Sequence, residues 1–280
     1  MKLRGTVQFI RRHWILFAFA FFLICFLSIP HMLERLFIYY PAPDVQTDPG
    51  SVGLGYQDIF FITEDKVRLH GWFIPCNDAA RTLMIFHGNA GNIGDRVEWI
   101  EMLHSLNVHL FIFDYRGYGK SEGKPFEEGL YRDARAAWQW WKKERQSRGE
   151  KLILMGESLG GAVAVNLAGS VSPDGLVIQS TFTSGRDMAA TSLLLRLLFP
   201  FAGVHFDSAK TIGRVLCPKL FIHGMRDEII PFHLGKTLYD LAPPPKSFYP
   251  VPKAGHNDLP WVSTKEYLQQ LALFISGIQN

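Results

Sequence analysis

Cysteine is scarce, with three among 280 residues. That excludes a small disulfide-knit scaffold, which needs several pairs to replace a core it is too short to form. Cys25 falls inside an apolar run, and Cys76 and Cys217 read as buried apolar thiols. Acidic residues are missing from the first 33 positions, where Lys2, Arg4, Arg11 and Arg12 stand. Without those four, 25 basic residues face 26 acidic ones, so the formal charge of +3 belongs to the N-terminal tail. A basic face for nucleic acid is therefore not supported. Internal repeats and low-complexity tracts are also lacking. The 25 glycines and 16 prolines follow no three-residue period, which rules out a collagen-like fibre. What is abundant is apolar: 48% hydrophobic against 20% charged residues, enough to exclude a disordered chain.

One long uncharged run is present. Residues 14–29 read WILFAFAFFLICFLSI. As a helix they span about 24 Å, slightly less than the hydrocarbon core, and Arg11 and Arg12 can snorkel to cover the difference. A cleaved signal peptide shares the charged start and apolar middle. It would need an A-x-A-like site, and Ser28-Ile29-Pro30-His31 offers none. The expected organisation is a basic tail at 1–12, a transmembrane anchor at 13–30, a connector at 31–55 and one domain at 56–280. The positive-inside rule keeps the N-terminus cytoplasmic and sends the domain to the non-cytoplasmic side. Within the connector, 32–40 (MLERLFIYY) suits either the membrane interface or packing on the domain.

Beyond residue 56, strand-like and helix-like stretches alternate. Strands are expected at 58–63 and 67–74, with a turn at 64–66. Further short apolar runs stand at 83–86, 108–113, 152–155, 176–178, 220–222 and 247–251. Their length suits strands buried on both faces, as a parallel sheet requires. Helices are expected at 95–106, 127–148, 159–168, 234–241 and 264–278. The alternation predicts one α/β domain with helices on both faces.

Gly156-Glu157-Ser158-Leu159-Gly160 carries the strongest chemistry. It follows a strand and precedes a helix-forming run, which puts Ser158 on a tight turn at a helix N-terminus. Such a serine needs a base and an orienting acid, in the chain order Ser, acid, His. Asp227, just past the strand at 220–222, is the acid candidate, with Glu228 as its alternative. His256, in a loop before the last helix, is the base candidate. The backbone amides of Asn89 and Leu159 are the expected oxyanion donors. Other features read as structural. His87 is expected to bond neighbouring loops, Arg116 to form a salt bridge, and Trp138, Trp140 and Trp141 to pack. Gly119-Lys120-Ser121 lacks the Gly that a phosphate loop needs at Asp114, and His104 with His109 lacks companions for zinc.

HGNAGN (87–92), DYRGYGKSEGKP (114–125), GESLGG (156–161), HGMRDEIIP (223–231) and AGHND (254–258), in this order, resemble the α/β-hydrolase superfamily. Within it the chain is similar to single-pass membrane-anchored α/β-hydrolase-domain proteins of the serine-aminopeptidase-like group. Residues 56–75 resemble that group's opening strand pair, with Lys66 where a turn Gly commonly sits. The resemblance covers 50–280. It implies an eight-stranded, mostly parallel sheet, the triad Ser158, Asp227 and His256, and a short lid in 181–217. The expected activity is a membrane-anchored serine hydrolase cleaving a carboxylic ester, with a lipid-like acyl substrate favoured by the anchor. A peptidase or amidase of the same fold, and a non-catalytic scaffold, are the alternatives. No cofactor or metal is expected. The partners expected are the acyl substrate and membrane lipid, not nucleic acid. The lid's apolar stretch, 193–201 (LLLRLLFPF), fits a helix packed on the core, or a greasy lid that shapes an acyl pocket or touches the bilayer.

Overall fold

The structure is a computed structural model and describes residues 14, 34, 36–201 and 203–278. Among the described residues no helix is long and apolar enough to cross a membrane. The expected span, 13–30, lies outside them apart from Trp14.

Eight strands form the central sheet: β1 (Gln57–Ile62), β2 (Arg68–Ile74), β3 (Arg81–Phe86), β4 (His109–Phe113), β5 (Lys151–Glu157), β6 (Gly175–Gln179), β7 (Lys219–Gly224) and β8 (Lys246–Val251). Their spatial order is β1-β2-β4-β3-β5-β6-β7-β8. β2 runs antiparallel to both β1 and β4, and every other pairing is parallel. The helices are α1 (Val97–His104), α2 (Glu127–Glu144), α3 (Leu159–Ala168), α4 (Gly185–Ala190), α5 (Leu193–Leu198), α6 (Ser208–Ile212), α7 (Phe232–Leu241), α8 (Leu259–Val262) and α9 (Thr264–Gly277).

The period of two along each strand decides what covers each face. Met84, Phe86, Phe111, Phe113, Leu154 and Ile178 point to one side, where α2, α3 and α7 pack. Leu83, Ile85, Leu110, Ile112, Met155 and Val177 point to the other, against α1 and α9. Each such side chain, once fully buried, contributes about 1.5–3 kcal/mol. Both faces of the sheet are therefore predominantly apolar, and the site residues expected from sequence gather at its C-terminal edge.

Element ends follow local chemistry. The helix expected at 95–106 begins as a 3-10 turn, Ile93–Arg96, held by a capping box between Asn92 and Asp95. The helix expected to run to 148 ends at Glu144, and Gly149, at φ 77°, closes the 3-10 turn that follows. Lys66 adopts φ 68°, the left-handed conformation for which a glycine is the usual choice. Cys76 and Cys217 are free and half-buried, not the buried thiols expected, because each sits beside a strand end rather than inside a strand.

The other structural expectations resolve plainly. Arg116 is buried between Asp133 and Asp65, with Nε 2.9 Å from one carboxylate and Nη1 2.8 Å from the other. It ties the loop after β4 to α2 and to the β1–β2 turn. Trp141 is buried, and Trp140 packs on Phe111 with ring centroids 4.4 Å apart and planes inclined by 40°. His104 Nε2 donates to the Pro75 carbonyl, while His109 lies beside Glu150 and Arg145.

The described part of 31–55 packs on the domain. Glu34 and Tyr39 are buried, and the Tyr39 hydroxyl donates to Glu34 at 2.6 Å. Glu34 also accepts from the backbone amide of Glu127 at the start of α2. Tyr40–Pro41 pairs in parallel with Ala90–Gly91 in a separate two-residue ladder.

Candidate active site

Two glycines make the turn between β5 and α3 attainable. A Cβ on Gly156 would stand 2.3 Å from the Gly160 carbonyl, and one on Gly160 would stand 2.0 Å from that of Phe86. Neither contact is physically tolerable, so the chain can make this close approach only with glycine. Between them Ser158 is held at φ 54° and ψ −120°, a strained conformation for a residue with a side chain. The surroundings fix it there. The Ser158 amide donates to the Gln179 carbonyl at 2.9 Å, and the Ser158 carbonyl accepts from Thr181 Oγ1 at 2.7 Å. The hydroxyl is thereby lifted off the C-terminal end of β5 and sits at the N-terminus of α3.

Asp227 lies in the loop after β7. Its Oδ1 accepts from the amides of Ile229 and Ile230 at 3.0 and 2.7 Å, which locks the carboxylate in place. Oδ2 lies 2.8 Å from His256 Nδ1 and 3.4 Å from His223 Nε2. Burial alone would push this carboxyl up. The nearby His223, whose Nε2 donates to the Ile230 carbonyl at 3.0 Å, and the hydrogen bond and charge of His256 outweigh burial and hold it well below the usual carboxylate range.

His256 is carried by the loop between β8 and α8. That loop is pressed against the end of β7, where a Cβ on Gly224 would meet the Ala254 carbonyl at 2.5 Å. Asp258 accepts from the Gly255 amide at 2.7 Å. The imidazole Nε2 then stands 3.1 Å from Ser158 Oγ. Burial pushes the imidazole pKa down, but the Asp227 hydrogen bond and charge, with Glu157 and Glu228 further off, raise it above the ordinary histidine value. Glu228 bonds the backbone amide of His256 at 3.3 Å, so it braces the loop without orienting the ring.

Asn89 and Leu159 line the same cavity as Ser158. The Asn89 carbonyl accepts from the Tyr40 amide at 2.9 Å and from the Tyr118 hydroxyl at 2.8 Å, while its side-chain Nδ2 donates to the Ile38 carbonyl at 2.8 Å. The loop carrying Asn89 is thus held from both sides by the segment around 38–40. His87 is fully buried, bonds the Gly88 carbonyl and packs on Tyr115 at 4.5 Å between centroids. Burial pushes its pKa down to about 3, so it is a neutral structural ring.

The cavity holds about 190 Å³ and is predominantly apolar. Phe182, Met188, Leu195, Phe199 and Phe206, between β6 and β7, form much of it, and Phe37 and Ile38 form another part. A second, more polar cavity of about 300 Å³ is bordered by Arg96, Glu157, Gln179, Asn257 and Trp261. It takes in the chain neighbours of Ser158 and His256 but neither of those residues.

All five residues expected from sequence lie at this end of the sheet. Sequence reasoning did not single out His223, Thr181, Phe37 or Ile38. The run HGMRD contained His223 without indicating its part, and nothing local in MLERLFIYY relates Ile38 to a serine 120 positions away.

Comparison with known proteins agrees with the fold. Residues 77–211 match the family described as serine aminopeptidase, S33. An uncharacterized protein of Mycobacterium tuberculosis is 35% identical over 249 residues, covering 87% of each chain. The alpha/beta hydrolase domain-containing protein WAV2 of Arabidopsis thaliana is 35% identical over 241 residues, covering 78% of this chain and 77% of that one. Among solved structures, the Pyrococcus furiosus esterase Pf2001 superposes with a TM-score of 0.74 at 21% identity, over 87% of this chain and 99% of that one.

Proposed function

This chain belongs to the alpha/beta hydrolase family, and from that premise we propose that it is a serine hydrolase cleaving carboxylic esters with apolar acyl chains. One observation carries the proposal: the His256 ring bridges Ser158 Oγ at 3.1 Å and Asp227 Oδ2 at 2.8 Å, beside a cavity that Ser158 itself lines. Ser158 Oγ attacks the carbonyl carbon while its proton passes to His256 Nε2. The amides of Asn89 and Leu159 hold the oxyanion. As the tetrahedral intermediate collapses, the C–O bond to the alcohol breaks, and the alcohol leaves with the proton from His256. Water then attacks the acyl-enzyme by the same path and releases the acid. Asp227, kept ionised, fixes the ring tautomer and stabilises the imidazolium.

The apolar cavity favours an acyl chain over a charged side chain, and the polar cavity bordered by Arg96 and Glu157 gives a polar leaving group a place. The family match to serine aminopeptidase supports a second reading, an amide or peptide bond at the same serine. In both readings the anchor expected at 13–30 holds the enzyme at a membrane, with residues 1–12 cytoplasmic and the domain on the opposite side.

A fluorophosphonate probe tests the nucleophile. The wild-type protein is expected to label and Ser158→Ala to stay unlabelled; equal labelling removes Ser158 and favours a non-catalytic scaffold. Turnover of p-nitrophenyl esters of graded length beside aminoacyl amides separates the two enzymatic readings.

A further inference from the structure

We propose that the outer face of α5, continued by Leu36, docks on the lipid bilayer, so that the acyl chain enters the cavity directly from the membrane. This deepens the function proposed above and rests on it for the substrate. The helix is apolar on two sides. Leu195 faces the cavity, whereas Leu193, Leu194 and Leu197 are 76%, 59% and 64% exposed. An ordinary surface helix buries one apolar stripe and turns charge outward. Here the outward positions are leucines, and Arg196 is the one charged residue of the helix. The sequence allowed a helix packed on the core; the exposure of these leucines removes that alternative for the outer face. Single exposed leucines are commonplace, but several together beside a ligand cavity mark an interaction surface.

The other wall of the cavity indicates which partner fits. Phe37 and Ile38 line it, and Leu36 beside them is 61% exposed. The uncharged run 14–29 ends only eight residues before Phe37. Eight residues reach at most about 28 Å even when fully extended. A bilayer holding that run therefore lies within reach of the cavity, next to an apolar helix whose arginine suits anionic headgroups. A second copy of the chain would also cover leucines, but the short reach to the uncharged run favours lipid.

The test uses the full chain reconstituted in phosphatidylcholine–phosphatidylglycerol vesicles. In the triple variant Leu193→Ser, Leu194→Ser, Leu197→Ser, hydrolysis of soluble p-nitrophenyl butyrate is expected to stay within about twofold, since none of the three lines the cavity. Hydrolysis of a long-chain fluorogenic ester embedded in the vesicles is expected to fall about tenfold or more. The single variant Leu194→Glu, with a thermal melt matching wild type, repeats the measurement should the triple variant fold poorly. An equal fall on both esters, or no fall on either, overturns the proposal. A wild-type dimer in detergent that these substitutions dissociate, in step with the loss, also overturns it and assigns the face to a second copy. A second readout needs no turnover: Leu194→Trp is expected to gain fluorescence quenching from brominated acyl chains. Quenching beyond that of the wild type, whose Trp14 stands in the uncharged run, keeps the docking face, and without hydrolysis it rejects the acyl substrate; absence of any added quenching rejects the docking face whatever the enzyme hydrolyses.

Discussion

In the proposed mechanism Ser158 attacks only while His256 is neutral, and the pair Asp227–His256 sets where that holds. Because Asp227 raises the imidazole pKa, the acid limb of kcat/KM is expected above the ordinary histidine value of about 6.5. Activity then rises with pH as the ring loses its proton. Asp227→Asn removes the carboxylate's charge, so the ring releases its proton more readily and the acid limb moves to lower pH. The plateau is expected to drop by about three to four orders of magnitude, since the tautomer is no longer fixed. Glu228→Gln is expected to leave both within about threefold, because Glu228 reaches the backbone rather than the ring. A pH–rate profile of each variant checks the assignment. If Glu228→Gln has the larger effect, Glu228 is the acid.

At the scale of elements, the site is assembled from parts that do not neighbour one another in the chain. The turn after β5 gives the serine, the loop after β7 the acid, and the loop after β8 the histidine. The segment before β1 supplies Ile38, which both lines the cavity and accepts from the Asn89 side chain through its carbonyl. Enlarging this residue fills apolar volume without touching the triad. Ile38→Trp is therefore expected to lower kcat/KM on C8 and longer p-nitrophenyl esters by about tenfold or more, with acetate and butyrate changed by about threefold at most. A uniform loss across chain lengths would mean that Ile38 acts only by bracing the Asn89 loop. Much of the cavity's apolar lining comes from the stretch of modest length between β6 and β7, through Phe182, Met188, Leu195, Phe199 and Phe206.

At the scale of the whole molecule, the sheet's C-terminal edge, the cavity and the apolar outer face of α5 belong to one end of the domain. The segment leading from the uncharged run reaches that same end, which makes the orientation of the domain relative to a membrane consequential. A reporter fused after Asn280 that needs export is expected to be active, while a cytoplasm-dependent reporter at the same place is expected to be silent. The opposite pair of results places the domain on the cytoplasmic side and leaves the hydrolase chemistry untouched.

Much of this was legible in the chain because it is local physics. Apolar runs of strand length alternating with helix-like stretches determine a two-faced, mostly parallel sheet, and observed strands depart from the expected ones by only one or two residues at their ends. The glycines flanking Ser158 are a local necessity of a tight turn, so the turn that carries the proposed nucleophile could be read from five letters. Asp227 and His256 were legible because each sits just beyond a strand that the pattern located. Tertiary structure alone decided the rest. Whether Asp227 or Glu228 faces the ring depends on how two distant loops meet, and adjacent residues point different ways. That His223 lies beside Asp227, that Ile38 lines the apolar cavity, and that Leu193, Leu194 and Leu197 face outward are outcomes of long-range packing. A sequence records which side chains are apolar, but only the folded chain determines which of them water still reaches.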